Sequence, residues 1–367
     1  FFFKFRMKVT YNYILIPFLI LLFTTAMAGD KKCRALALSG GGDKGSYQAS
    51  VFIEFTNLLS KEDISYDVVT GASAGSLNGA GISLFAAGDE DQAAIFIYGL
   101  WHTITTSDIL KMWDGGILEG IFIKPGIFDN SPLISFLESQ IGTQSIQKKF
   151  SVVVTNANTG FSESVDFNAS KTIPEDAIST IVGSSAIPFA FPPMEKNGNT
   201  YIDGGCIWNL DVTGAVRRCK EIVEDEEDII IDIILCSFYS LTPIEEIRKY
   251  GPLDHYFRGI EIQDWQNNMQ DVERAVRNYP KVNFRYVIGP STQLSGSPIP
   301  LDFSKSHLDK CFEIGKNDAI KAVGMGEGEY LNVMLDHFNK VQLGEEPNFD
   351  QMLKIKFEQN KYNNTSE

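Results

Sequence analysis

Residues 34–45 read Arg-Ala-Leu-Ala-Leu-Ser-Gly-Gly-Gly-Asp-Lys-Gly, and from Gly45 to Leu59 apolar residues recur at helical spacing through Tyr47, Val51, Phe55 and Leu58. A short apolar run that stops on consecutive glycines predicts a buried strand, and the periodic stretch after it predicts a helix. The same unit follows at once. Tyr66 to Thr70 carries β-branched residues suited to a strand, Gly71-Ala72-Ser73-Ala74-Gly75 interrupts it, and Ala74 to Ala87 is small and apolar, as in a tightly packed helix. Two strand–turn–helix units in succession open a doubly wound α/β sheet whose strands run mainly parallel.

Downstream, Asp91–Thr103 and Pro132–Ile141 read as helices. Between them, residues 104–130 are loop-rich, with Gly115, Gly116, Gly120 and Gly126 set among apolar residues. Such a stretch beside a site can form a lid or an acyl-chain surface; a packed loop is the simpler account. Phe150–Thr155 and Glu163–Phe167 alternate like paired strands around an Asn158-Thr159-Gly160 turn, so the sheet is expected to be mixed. Pro174–Ser184 reads as a helix and Thr200–Ile202 as a short strand before Asp203-Gly204-Gly205. Six acids between Glu221 and Asp228 read as a solvated loop ahead of a buried strand at Ile229–Leu235. Gln263–Asn278 and Ser306–Asn339 read as helices, the second broken near Gly324–Gly328.

The ends read differently. Residues 1–28 combine Lys4, Arg6 and Lys8, an apolar run from Ile14 to Phe23 and a closing Ala26-Met27-Ala28, the order of a secretory signal peptide. An uncleaved signal anchor is the alternative. Residues 29–345 are expected to form the folded domain and 346–367 a polar, frayed C-terminal tail. The chain has 367 residues, 44% hydrophobic and 22% charged, with a net charge of −15. Removing a leader with three cations and no acid takes this to −18. So acidic a protein is a poor partner for nucleic acid or an anionic membrane surface, and no protein partner follows from the sequence. The five cysteines, Cys33, Cys206, Cys219, Cys236 and Cys311, show no metal-ligand spacing. One or two disulfides or buried free thiols both fit. Asn168, Asn363 and Asn364 begin glycosylation sequons, in keeping with a secreted or endomembrane-lumenal protein.

Three motifs carry chemistry. Gly71-Ala72-Ser73-Ala74-Gly75 lies directly between a strand and a helix, the setting of a nucleophile turn. Its glycines remove Cβ atoms from a sharp bend, and the helix N-terminus favours developing negative charge. Gly40-Gly41-Gly42-Asp43-Lys44-Gly45 occupies the neighbouring strand-to-helix turn. It matches a dinucleotide fingerprint literally, narrowly misses a P-loop because Ser46 follows Gly45, and can equally supply an oxyanion hole to Ser73. Asp203-Gly204-Gly205 follows a short strand, and its carboxylate can take a serine proton; alone it is an ordinary turn.

Together, in this order, the three motifs resemble the patatin-like phospholipase family, as does Ser184-Ser185-Ala186-Ile187-Pro188-Phe189-Ala190-Phe191-Pro192-Pro193 ahead of the aspartate. The resemblance covers residues 34–210. It implies a patatin-like three-layer α/β/α sandwich with a mainly parallel central sheet, and hydrolysis of acyl esters of membrane lipids without a metal or cofactor. It implies Ser73 as nucleophile and Asp203 as proton acceptor, without histidine. Gly40, Gly41, Gly42 and Asp43 would form the oxyanion loop, supported by Lys44, Gly45, Gly71, Gly75, Gly204 and Gly205. Two positions depart from the family pattern: Ser39 stands where plant patatins carry aspartate, and Trp208-Asn209-Leu210 stands where Asn-Asn-Pro is common. The substrate would be lipid at a membrane or micelle surface. The rival readings are an esterase with a Ser-His-Asp triad drawing on His255, His307 or His337, and a catalytically weak lipid-binding or storage protein.

Overall fold

The apolar run before the glycines forms β1 (Cys33–Leu38), and the second such run forms β2 (Val68–Ala72); both are almost wholly buried. A computed structural model describes residues 31–367 except 171–175, 238–240, 242–243, 295–298 and 365–367. The leader expected at residues 1–28 lies outside the described residues, as does part of the last sequon. The remaining strands are β3 (Lys111–Met112), β4 (Phe128–Asp129), β5 (Lys149–Asn156), β6 (Phe161–Phe167), β7 (Met194–Lys196), β8 (Asn199–Asp203), β9 (Ile229–Ile234) and β10 (Asn283–Ile288). The helices are α1 (Gly45–Leu58), α2 (Ala74–Ser83), α3 (Glu90–Thr103), α4 (Thr106–Ile109), α5 (Gly116–Phe122), α6 (Ser131–Ile141), α7 (Ala177–Ser184), α8 (Val212–Cys219), α9 (Pro252–Asn278), α10 (Lys305–Met325), α11 (Glu329–Gln342) and α12 (Phe349–Asn364).

The main sheet runs β10-β9-β1-β2-β5-β8-β7, with β6 on β5. Strands β10, β9, β1, β2 and β5 are parallel, whereas β6 and β8 run antiparallel to β5 and β7 antiparallel to β8. Helix α2 packs on β1, β2 and β5, and α8 on β1, β2, β5 and β9, which gives the flanked, mixed α/β/α arrangement the motifs imply. Burial on both faces explains why the parallel strands read as continuous apolar runs rather than as alternation.

One detail of register positions the site. β6 pairs with β5 from Phe150 to Asn156 and so fills one edge of that strand. The other edge is shared: β2 covers Lys149–Val153, and β8, arriving from the opposite direction, covers Val154–Asn156. Strands β2 and β8 therefore meet head-on, Ala72 opposite Val153 and Asp203 opposite Val154. The chain leaves this junction at Ser73 on one side and Gly204 on the other.

The structure changes one part of the sequence reading here and settles another. Residues 349–364, read as part of a polar tail, form α12, which packs on α10 and α11 and buries Phe349 and Leu353. Two apolar anchors on one helical face suffice to dock an otherwise polar segment. The cysteines, left open between disulfide and thiol, divide: Cys33 and Cys219 form a disulfide that ties the start of β1 to the end of α8, while Cys206, Cys236 and Cys311 are free.

Candidate active site

Ser73 sits between β2 and α2 with φ 49° and ψ −123°, a backbone state that an L-residue adopts only when its surroundings impose it. They do. A Cβ on Gly71 would lie 2.2 Å from the Gly75 carbonyl oxygen, and one on Gly75 would lie 2.3 Å from that of Leu38, so the bend closes only with glycine at both places. The Ser73 N–H donates to Ser184 Oγ at 2.9 Å, and that hydroxyl donates to Val153 O at 2.6 Å. The Ser73 carbonyl accepts from Ser76 N and Ser76 Oγ. The backbone is thus held on every side.

Asp203 ends β8. Its N–H donates to Ala186 O, which ties it to the Ala186–Phe191 stretch. Oδ1 accepts the Gly205 N–H at 2.7 Å, whereas Oδ2 is buried with no hydrogen-bond partner among the described residues. Burial pushes this carboxyl up to about 7, against the downward pull of the Ser73 hydroxyl and the Gly205 N–H. A carboxyl beside a strained serine, titrating near neutrality, is equipped to accept a proton.

The glycine turn adjoins both. A Cβ on Gly40 would come within 2.9 Å of Ser73 Cβ. The motif assigns four residues to the oxyanion loop, and their N–H groups fall into two kinds. The Gly40 N–H donates to Asn209 O and Oδ1, both at 3.1 Å, and the Asp43 N–H donates to Pro300 O at 3.0 Å, so neither is free for an anion. The N–H groups of Gly41 and Gly42 have no acceptor among the described residues. Gly42 has φ +60°, and a Cβ there would lie 2.2 Å from Pro300 O. Lys44 precedes α1; its carbonyl accepts from Cys236 Sγ, and its charge bears on Asp264 and Cys236. Gly45 packs on Trp101. A Cβ on Gly204 would lie 2.4 Å from Val153 O.

Three further residues, each named in the sequence for another reason, shape the site. Asn209 brackets Gly40 with both its backbone and its amide, and is held in turn by Asn268. Ser184 fixes the Ser73 N–H. His307 makes an ion pair with the buried Asp43 at 3.2 Å, and Asp43 also accepts the Asp302 N–H. The Asp43 carboxylate, with a contribution from Cys311, pushes the His307 imidazole up to about 10. His307 therefore supports the glycine turn. His102 stacks on Tyr98, His255 lies beside Tyr250, and His337 packs on Phe349. No histidine lines the pocket in front of Ser73.

That pocket is walled by Leu77, Ile97, Trp101, Leu133, Phe191 and Phe303 and reaches from Ser73 and Gly42 towards α3 and α6. The polar side chains of its Trp101 and Asn78 are paired: Trp101 Nε1 donates to Asn78 Oδ1, and Asn78 Nδ2 to Gly45 O and Gln48 Oε1. The pocket thus presents hydrocarbon to whatever enters it. A hydrocarbon chain fits this lining; a dinucleotide phosphate does not.

Residues 36–216 match the family model described as patatin-like phospholipase. The chain is also similar to the solved structure of VipD from Legionella pneumophila, with 14% sequence identity over 88% of this chain and 79% of that one and a TM-score of 0.33. No curated protein matches it.

Proposed function

Residues 36–216 are a patatin-like phospholipase domain, and on that premise we propose that the protein is a lipid acyl hydrolase of phospholipase A type, working through a Ser73–Asp203 dyad. Ser73 Oγ attacks the ester carbonyl carbon while Asp203 takes its proton. The Gly41 and Gly42 N–H groups receive the oxyanion, and the departing alcohol takes back the proton. Water, deprotonated by Asp203, then releases the fatty acid from the acyl-enzyme. The acyl chain lies in the apolar pocket throughout.

The observation that carries this reading is the head-on meeting of β2 and β8. It sets the strained Ser73 beside a carboxyl raised to about 7, and Ser73 lines an apolar pocket together with Gly42, whose N–H is unengaged among the described residues. Incubating residues 29–367 with mixed phospholipids, galactolipids and triglycerides, and identifying products by mass, tests it. Free fatty acid and lysolipid are expected from the wild type and none from Ser73→Ala; equal turnover by the two proteins contradicts the reading.

We further propose a secretory route, with residues 1–28 as its signal. The Cys33–Cys219 disulfide supports this, because such bonds persist in oxidising compartments.

A further inference from the structure

Helix α5 is inverted. An amphipathic helix on a folded protein turns its large apolar residues inward. In α5 the buried residue is Gly120, whose missing Cβ leaves room for the backbone of Ile127 at 2.4 Å. Ile117, Leu118, Ile121 and Phe122 point outward, as does Ile123 just beyond, with Leu118 64%, Phe122 79% and Ile123 75% exposed. The helix is nevertheless anchored. Glu119 accepts the Gly115 N–H and pairs with Lys124, which lies over the Trp113 ring, and Trp113 Nε1 donates to Gly126 O.

The anchor leads to the active site. Gly126 packs on Phe191, the Ile127 N–H donates to Phe189 O, and the Phe128 N–H donates to Ala190 O. Phe191 lines the pocket of Ser73, and Phe189 is itself 56% exposed with φ +75°. An apolar patch therefore continues from the pocket mouth onto the surface of α5. The nearby cations are already matched, Lys124 by Glu119 and Lys111 by Asp129, and the whole chain carries −15. No basic excess is left to seek an anionic surface.

We propose that α5 and Phe189 form the element by which this protein docks on a neutral or zwitterionic lipid surface. Its apolar side chains enter the interface, so that an acyl chain passes into the pocket without crossing water. No helix among the described residues is long and apolar enough to cross a membrane. This proposal rests on the reading of Ser73 as an esterase nucleophile, and the test separates the two.

The probe is phosphatidylcholine vesicles, alongside a soluble short-chain nitrophenyl ester. For Leu118→Asp/Phe122→Asp, sedimentation with vesicles should fall at least tenfold and hydrolysis of vesicle lipid should fall with it. Hydrolysis of the soluble ester should match the wild type, which also reports that the variant is folded. Ser73→Ala should sediment like the wild type; if it does while no protein hydrolyses anything, docking stands and the esterase reading falls. The emission of Phe122→Trp should shift to the blue when vesicles are added. Unchanged sedimentation of the double variant, binding that needs anionic lipid, or a wild-type dimer that the double variant converts to monomer would each overturn the proposal.

Discussion

Around Ser73 nearly every backbone group has a partner and little can move. Its N–H is held by Ser184, its carbonyl by Ser76, and the glycines on either side meet neighbouring carbonyls at distances no Cβ could occupy. Around α5 the arrangement is reversed: a seven-residue helix rests on one glycine and shows its isoleucines, leucine and phenylalanine to solvent. The first region is fixed by its hydrogen bonds and close packing, and its strain persists only because the surroundings over-determine it. The second needs an apolar surface rather than a fixed geometry. The comparison predicts that substitutions on the floor of the pocket alter chemistry and those on its rim alter access.

Asp203→Asn should break the floor most completely, lowering kcat/KM by roughly 10³-fold. Because burial raises the folded carboxyl to about 7 from an ordinary value of about 3.9, the native state holds a proton that the unfolded state has lost between those values. Wild-type kcat/KM on the soluble ester should therefore rise with pH through about 7. Ionisation of Asp203 should cost the wild type stability over the same window, a cost the asparagine variant escapes. Urea unfolding at pH 8 should find Asp203→Asn at least as stable as the wild type; an active variant, or a flat acid limb in the wild type, would refute the assignment.

Gly42→Ala comes next. With φ +60° and Pro300 O in the place of the new methyl group, the turn must shift and carry its free N–H away from Ser73. A loss of roughly 100-fold in kcat with little change in KM is expected from single-turnover kinetics.

His307→Gln tests the support beneath that turn. A histidine held at about 10 stabilises the fold fully below its unfolded value of about 6.5, and the effect disappears as pH rises through about 10. The variant should lose about 2 kcal/mol at pH 6, judged by denaturant unfolding, and much less above pH 10. The smallest effect belongs to the rim: Leu118→Ser should alter soluble-ester hydrolysis by less than about twofold.

What could be read in the sequence was local. Strands β1 and β2, their glycine turns and the helices after them lie in continuous segments whose periodicity and turn residues agree. The proposed pairing of Ser73 with Asp203 rested in the sequence only on the order of the motifs, because β2 and β8 meet through the shared edge of β5 and no spacing encodes that register. For the same reason the pairings of Asn209 with Gly40, 169 residues apart, and of His307 with Asp43 carried no signal. The glycine motif named four oxyanion residues, yet Asn209 and Pro300 engage two of their N–H groups. Gly116 and Gly120 read as loop residues because glycine ordinarily breaks helices; here the lack of a side chain lets α5 lie close on Ile127. The polar composition of α12 concealed two buried anchors.

Intact-mass analysis after treatment with a fluorophosphonate tests the central claim most directly. The wild type should gain one phosphonyl group, mapped to Ser73, and lose ester hydrolysis in step with labelling, while Ser73→Ala should gain none and keep its thermal unfolding profile. Labelling of Ser73→Ala to the same extent, or full hydrolysis by a wild type labelled at Ser73, would contradict the account.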